Sequence, residues 1–157
     1  MNTLLLFYKI QNHNVKAVDY IDWAFNMLEN NCSSFSINIL SSLREPLNIF
    51  EVEDYFSRAL NEIELQEPSY EECAKYYILH LSEKILQDGT NVFDIVYDIN
   101  TIAREINYPD DLEEWLYISD MIDEFHYGGN DFNLTKEEVI AAIMHEAKNT
   151  LKNNKKN

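Results

Sequence analysis

The three prolines and three glycines of this 157-residue chain all fall at breaks between periodic segments. They are Pro46, Pro68, Gly89, Pro109, Gly128 and Gly129. Inside a helix, Pro costs about 3 kcal/mol and Gly about 1 kcal/mol relative to Ala. Because both residue types are confined to junctions, each stretch between them can form an uninterrupted helix. No other feature of the sequence restricts the possible folds as strongly.

The apolar residues within these stretches recur every three or four positions, which is the period of an α-helix. The clearest stripe consists of Val92, Ile95, Val96, Ile99, Ile102, Ala103 and Ile106. Similar stripes run through residues 18–28, 52–63, 74–85 and 139–151. None alternates between apolar and polar positions as a strand would, so each predicts an amphipathic helix.

Three of the segments also carry a helix-start signal. Asn48, Ser69 and Thr135 are each followed three positions later by Glu. In this spacing a side-chain oxygen caps a free N–H, and the acid lies near the positive end of the helix. We predict helices near 15–30, 34–43, 49–65, 70–87, 92–107, 110–126 and 135–151. The short connections between them predict that neighbouring helices pack antiparallel.

The predicted fold class is all-α, a compact bundle of about seven short helices, with a solenoid-like stacking as the alternative arrangement. The length is that of one ordinary domain, so we assign residues 15–151 to a single helical domain. Residues 1–14 form an N-terminal arm, whose apolar run the sequence leaves open between a strand, a short helix and an arm that covers a groove. Residues 152–157 are rich in Lys and Asn and are predicted to fray.

Compartment and membrane association follow from the cysteines and the apolar runs. Cys32 and Cys73 stand far apart, with no further Cys or His at metal-ligand spacing, which favours a reducing compartment. The apolar run 4–8 is too short for a signal peptide and has no basic residue before it. No segment approaches the roughly 18 apolar residues of a membrane span. We therefore expect a cytoplasmic protein that does not bind membranes.

The charge of the chain restricts the class of partner. Twenty-eight Asp and Glu residues against twelve Lys and Arg residues give a formal net charge of −16. Such a surface repels nucleic acid and anionic membranes and attracts basic surfaces. The composition therefore predicts a basic protein as the partner and excludes nucleic acid. The oligomeric state does not follow from the sequence.

The richest acidic segment runs from Glu105 to Asp131 and contains no Lys or Arg. At 100° per residue, Glu113, Asp120 and Glu124 fall on a different face from the apolar stripe that begins at Leu112. We predict that an acidic ridge binds the partner, and we define this ridge as Glu113, Glu114, Asp120, Asp123 and Glu124. The alternative is a solvated face. An ordinary solvated helix mixes charges and gains i,i+4 ion pairs, and the absence of such pairs here favours docking.

A second set of apolar residues on the same segment lies away from the Leu112 stripe. Ile118, Met121 and Phe125 either pack against a second neighbouring helix or form a small exposed patch. Burial is the favoured interpretation, because the chain has enough helices to cover both faces.

Motifs for catalysis or metal binding are absent from the sequence. Asp120, Asp123, Glu124 and His126 lie close together, but such a density follows from the acidic composition, and no Glu-x-x-His motif accompanies it. The segment that begins at Asp131 starts like a calcium loop, yet it has Lys136 where Gly is needed and Ala142 where the bidentate Glu should stand. We predict no catalytic residue, no metal ligand and no cofactor, and rank an enzyme last among the hypotheses.

From Trp23 to Pro109 the chain resembles a family of small uncharacterised helical bacterial proteins. The resemblance rests on Trp23-Ala24, Leu28, Ile39-Leu40, the run Asn48–Phe56, Ala59-Leu60, Tyr76, Leu81, Ile85, Asp88-Gly89 and Tyr108-Pro109. It implies a helical fold, because most of these positions are helix faces, caps and turns. Some small acidic helical proteins of this kind are similar to immunity proteins of bacterial toxin systems, which implies protein–protein interaction as the function.

Two hypotheses about the function agree with these features of the sequence. The first is an acidic binding protein that neutralises or sequesters a basic protein, as an immunity protein or antitoxin does, through the acidic ridge and additionally Glu51, Glu53 and Asp54. The second is a helical scaffold or adaptor that recognises its partner through an apolar groove, with the acidic surface serving solubility.

Overall fold

The computed structural model describes residues 1–88, 91–128 and 133–154. Within these ranges the regular structure consists of eight α-helices and one 3₁₀ turn, with no strand, so the predicted all-α fold is confirmed. The helices are α1 Thr3–Gln11, α2 Ala17–Glu29, α3 Phe35–Ser42, α4 Ile49–Glu62, α5 Tyr70–Asp88, α6 Val92–Glu105, α7 Glu114–Tyr127 and α8 Lys136–Asn154. Gly89, Gly129 and Asp131, to which the sequence analysis assigned breaks or a loop, lie outside the described residues.

The predicted helix 110–126 has a break near its start. A 3₁₀ turn, Asp110–Leu112, follows the extended Pro109, and the N–H of Leu112 donates to the carbonyl of Pro109 at 2.7 Å. The α-helical hydrogen bonding of α7 begins after this turn. At the other end of the chain, α8 continues to Asn154, so part of the predicted tail 152–157 is helical, and residues 155–157 lie outside the described ranges.

Of the three alternatives for the first residues, the structure has the short helix. The side-chain oxygen of Asn2 accepts a hydrogen bond from the N–H of Leu4 at 2.9 Å and so caps α1. Leu6 and Phe7 on α1 are buried. The apolar run therefore forms a short helix that packs into a core.

The predicted helix starts are present as hydrogen bonds, two of them as reciprocal pairs. At α4 the side-chain oxygen of Asn48 accepts from the N–H of Phe50 at 3.1 Å. At α5 the hydroxyl of Ser69 accepts from the N–H of Glu72 at 3.3 Å, while the Glu72 carboxylate accepts from the N–H of Ser69 at 2.8 Å. Thr135 and Glu138 form the same reciprocal pair at α8, at 3.2 and 2.9 Å. Each pair satisfies two N–H groups that would otherwise lack a partner.

The chain divides into two compact units, Met1–Cys73 and Ala74–Asn157. In the first unit, an aromatic cluster surrounds Phe56 of α4, whose ring lies 4.9 Å from that of Trp23 and 5.0 Å from that of Tyr20, both on α2. A hydrogen bond joins Thr3, at the start of α1, to Trp23 in the middle of α2, and another joins Lys9, near the end of α1, to Asp19 near the start of α2. These two helices are therefore antiparallel.

The second unit positions the acidic ridge. Three contacts in reverse order link α6 to α7, which makes the two helices antiparallel. They join Phe93 to His126, Tyr97 to Asp123, and Asn100 to Ser119. At the start of α7 the indole N–H of Trp115 donates to Thr150, near the end of α8, at 3.1 Å. The prediction of one helical domain over 15–151 stays a prediction.

None of the helices within the described ranges combines the length and the apolarity needed to cross a bilayer.

Candidate functional site

The acidic ridge lies at the surface of the second unit. Glu113 directly precedes α7, Glu114 is its first residue, and Asp120, Asp123 and Glu124 follow along the helix. All five are exposed except Glu124, which is half-buried. The opposite face of α7 is buried and includes Trp115, Ile118, Ser119 and Ile122.

The five residues of the ridge do not form one continuous row on the surface. They fall into three groups with different surroundings. At 100° per residue, Glu113, Asp120 and Glu124 fall within about 40° of one another, whereas Glu114 and Asp123 flank them on either side. Glu113 and Glu114 line a polar cleft, and Asp120 and Glu124 line a separate apolar depression. Asp123 lines neither of these.

Asp123 has a partner within its own unit. The phenol of Tyr97 donates a hydrogen bond to its Oδ1 atom at 2.6 Å. Burial raises the pKa of Tyr97 well above its usual range, and the hydrogen bond to Asp123 and its charge raise it further. The predicted partner-binding role of Asp123 is therefore accompanied by a contact between α6 and α7 that the sequence analysis did not anticipate.

The acidic cleft is formed by carboxylates from three successive elements. We define it by Asp110 and Asp111 of the 3₁₀ turn, Glu113 and Glu114 at the start of α7, and Glu146 of α8. Within the described residues the lining also includes Tyr117, Asn149, Lys152 and Asn153, and the volume is about 350 Å³. Among these described lining residues Lys152 carries the only positive charge, so the cleft concentrates negative charge.

Glu146 is the residue of this cleft that the sequence analysis missed. Its side chain is buried, with 7% exposed, and accepts hydrogen bonds from Asn149 at 3.2 Å and from the hydroxyl of Thr150 at 3.3 Å. Burial raises its pKa, and the charge of Glu114 adds to the effect, against the opposing influence of these hydrogen bonds and of His145. The signal was present in the sequence, since Glu146 stands three residues after Ile143, at a position of the buried stripe of α8.

The acids of the ridge can be compared with the positions along α7 at which a negative charge stabilises a helix. Asp110, Asp111, Glu113 and Glu114 lie near the N-terminus of α7, where a negative charge contributes about 0.3–1 kcal/mol to helix stability. Asp123 and Glu124 lie in the second half of the helix, near its negative end, where the same effect is unfavourable. The helix dipole therefore explains the acids at the start of α7 but not those at its end.

The apolar depression lies on the exposed side of α7. We define it by Tyr117 and Met121 of α7 and Leu134 of the segment before α8, with Asp120 and Glu124 beside them. Its volume is about 490 Å³, and its surface is mainly apolar. Tyr117 lines both this depression and the acidic cleft, so the two adjoin at that side chain.

The three residues of the second apolar face predicted for this segment differ in their burial. Ile118 is buried, with 3% of its surface exposed, as the favoured interpretation held. Met121 and Phe125 are half-buried. The ring of Phe125 packs 6.4 Å from that of Phe93 on α6, whereas Met121 lines the apolar depression. The patch alternative therefore applies to Met121 alone.

Metal-binding geometry is absent from the described part of the chain. No group of three or more His, Cys, Asp or Glu side chains there could hold a metal ion. His126 instead packs its ring edge-on against Phe93 at 5.1 Å. Both cysteines are free, and burial raises the pKa of Cys73 to about 11.

The fold and the surface of the second unit define a class, an all-helical protein with an acidic cleft beside an apolar depression. Comparison of the chain with protein-family models, with curated proteins and with solved structures found no match. The resemblance of residues 23–109 to small helical bacterial proteins stays a prediction.

Proposed function

We propose that this is a cytoplasmic, non-enzymatic binding protein that neutralises or sequesters a basic protein, as an immunity protein or antitoxin does. The observation that carries the proposal is the acidic cleft, in which five carboxylates from the 3₁₀ turn, α7 and α8 line about 350 Å³.

Keeping several carboxylates ionised in one cleft costs free energy, and a cationic partner would reduce that cost. Glu146 is buried among other acids, and its raised pKa reflects the cost of keeping it ionised there. The acids at the start of α7 gain from the helix dipole, but Glu146 on α8 gains nothing from it. A Lys or Arg side chain of a partner would pair with these carboxylates, and Arg can engage two oxygens at once.

The net charge of −16 extends the same preference beyond the cleft. Complementary charge accelerates diffusional encounter, and like charge excludes nucleic acid and acidic proteins. A basic protein is therefore the class of partner that this surface favours.

The second candidate, a scaffold that recognises its partner through an apolar groove, is favoured by a specific observation as well. The apolar depression contains the exposed Tyr117 and the half-buried Met121 of α7, away from the buried face of that helix. The two candidates differ in whether charge or apolar contact controls association.

A test compares two sets of substitutions that change the net charge equally. The cleft variant carries Asp111→Asn, Glu113→Gln and Glu114→Gln. The matched control carries Glu29→Gln, Glu83→Gln and Asp98→Asn, three exposed acids outside the cleft. Proteins retained from a lysate of the source cells are identified, and association of the purified partner is then measured with each variant.

We expect the cleft variant to associate about tenfold more slowly than the control at low ionic strength, with the difference shrinking in high salt because exposed charges are screened. Circular dichroism checks that both variants fold. Equal association rates for the cleft variant and the control in low salt would contradict the proposal. Retention of acidic proteins or nucleic acid would contradict it too.

A further inference from the structure

We propose that the apolar depression receives a large apolar side chain of the basic partner, which this partner presents between Lys or Arg residues. The inference rests on the proposed function and adds to it the chemistry of the segment that is recognised. The depression would anchor the partner, while the adjoining acidic cleft attracts it.

The described lining of the depression is mainly apolar. Tyr117 and Met121 stand one helical turn apart on α7, so their side chains are neighbours on the helix surface. Leu134, in the segment before α8, is the third apolar residue in the described lining of a volume of about 490 Å³. This volume lies within the range of about 300–1,000 Å³ that is typical of binding pockets. It can admit one large side chain with room for part of its neighbours.

The fold of the unit does not account for the exposure of Tyr117. α7 buries Trp115 and Ile122 on its opposite face, whereas Tyr117 remains 60% exposed. A single exposed aromatic residue is ordinary, but a concave apolar surface on a highly charged protein indicates a contact site. Met121 adds an adaptable, polarisable side chain of the kind often found at binding surfaces.

Charge complementarity indicates which kind of partner segment would enter the depression. Asp120 and Glu124 flank the apolar lining, and Tyr117 is shared with the acidic cleft. An acidic or phosphate-bearing segment would be repelled here, and a second copy of this chain, with its own net charge of −16, would be as well. Lys or Arg residues on either side of an apolar anchor would instead approach carboxylates, and Arg could also stack on the Tyr117 ring.

The acidic cleft and the apolar depression would have different roles in association. Exposed charges mainly set the rate of encounter, whereas desolvated aromatic and aliphatic anchors mainly set the lifetime of a complex. The acidic cleft and the apolar depression should therefore affect different measured quantities. Because the measured quantities differ, an experiment can test the apolar depression and the acidic cleft separately.

The experiment uses two defined probes, a pentapeptide amide of four lysines around a central tryptophan and the same peptide with a central alanine. Binding to the full chain is measured by nuclear magnetic resonance titration at low ionic strength. The pocket variant carries Tyr117→Ser and Met121→Gln. Its control is Tyr127→Ser, a second exposed tyrosine of α7 outside the depression.

We expect the wild-type chain and the Tyr127→Ser control to bind the tryptophan peptide about tenfold more tightly than the alanine peptide, because burying a large apolar side chain is worth at least that factor. The pocket variant should lose this preference, so that it binds the tryptophan peptide and the alanine peptide with about the same affinity. The titration should shift the methyl signal of Met121 with the tryptophan peptide only.

Three results would overturn the inference. Equal affinity of the wild-type chain for the two peptides is one, and persistence of the tryptophan preference in the pocket variant is another. Concentration-dependent dimerisation that the pocket variant abolishes would assign the depression to a second copy of the chain. Failure of the proposed function gives a different result, in which the cleft variant binds the alanine peptide as tightly as its charge-matched control does.

Discussion

At four helix ends the chain turns into the left-handed conformation at a residue other than glycine. The residues are His13, Asn31, Glu64 and Asn107, with φ of 53°, 59°, 53° and 61°. At α2 the N–H of Cys32 donates to the carbonyl of Met27 and that of Asn31 to the carbonyl of Leu28, and the other three ends repeat this pattern. Such ends usually carry Gly, because a side chain in this conformation costs about 1–2 kcal/mol, and less for Asn.

Glu64→Gly should therefore stabilise the protein. The substitution relieves the conformational cost, and the greater freedom of Gly in the unfolded chain offsets part of the gain, which leaves about 0.5–1 kcal/mol. Urea unfolding measures the difference, with Asn31→Gly as a comparison that should gain less. A lower free energy of unfolding for Glu64→Gly would show that the side chain contributes a contact that outweighs the conformational relief.

At the scale of the element, the two sides of α7 have different surroundings. One side packs Trp115 and Ser119 against α8 and α6, and the other exposes the ridge, the cleft edge and the depression. The contact with α8 runs from the Trp115 indole to Thr150 and from Thr150 to the buried carboxyl of Glu146. The helix packing thereby brings a titratable group to the back of the acidic cleft.

The raised pKa of Glu146 predicts a pH dependence of stability. In the folded chain the carboxyl holds its proton at a higher pH than the ordinary value of about 4.3. The resulting stabilisation is complete below that ordinary pKa and is lost as pH rises through the raised one. Glu146→Gln should therefore be more favourable, relative to the wild type, at about pH 7 than at about pH 5.

Urea unfolding of both proteins at the two pH values measures this difference. Taking the difference between variant and wild type cancels the titration of the other acids. A difference that does not change with pH would mean that Glu146 titrates normally in the folded protein.

At the scale of the whole molecule, the net charge of −16 disfavours the compact state through self-repulsion. Ion pairs such as Lys9 with Asp19, at 2.8 Å, compensate it locally. The melting temperature should consequently rise by a few degrees between about 0.02 M and 0.5 M NaCl, because the Debye length falls from roughly 20 Å to below 5 Å. Thermal unfolding followed by circular dichroism checks this, and a melting temperature that falls with salt would indicate that attractive pairs dominate.

The helices could be predicted because their signals are local. Periodic stripes and the pairs Ser69 with Glu72 and Thr135 with Glu138 involve residues within a turn or two, and both capping pairs are present. The sequence does not decide the structure of α1, because its apolar run lacks a polar face that would distinguish 3.6-residue from two-residue periodicity. The helix ends at His13 and Glu64 could not be foreseen either, because their left-handed conformation carries no glycine signal.

The sequence by itself determined the all-helical class, the acidic character and the position of the ridge on α7, because these depend on composition and on residues close together in the chain. Only the tertiary structure decided that Glu146 joins Asp111 and Glu114 in one cleft, and that Asp123 pairs with Tyr97. The physical reason is that antiparallel packing of α7 against α8 and α6 brings together residues about 20 to 35 positions apart, and no local periodicity records which faces will meet.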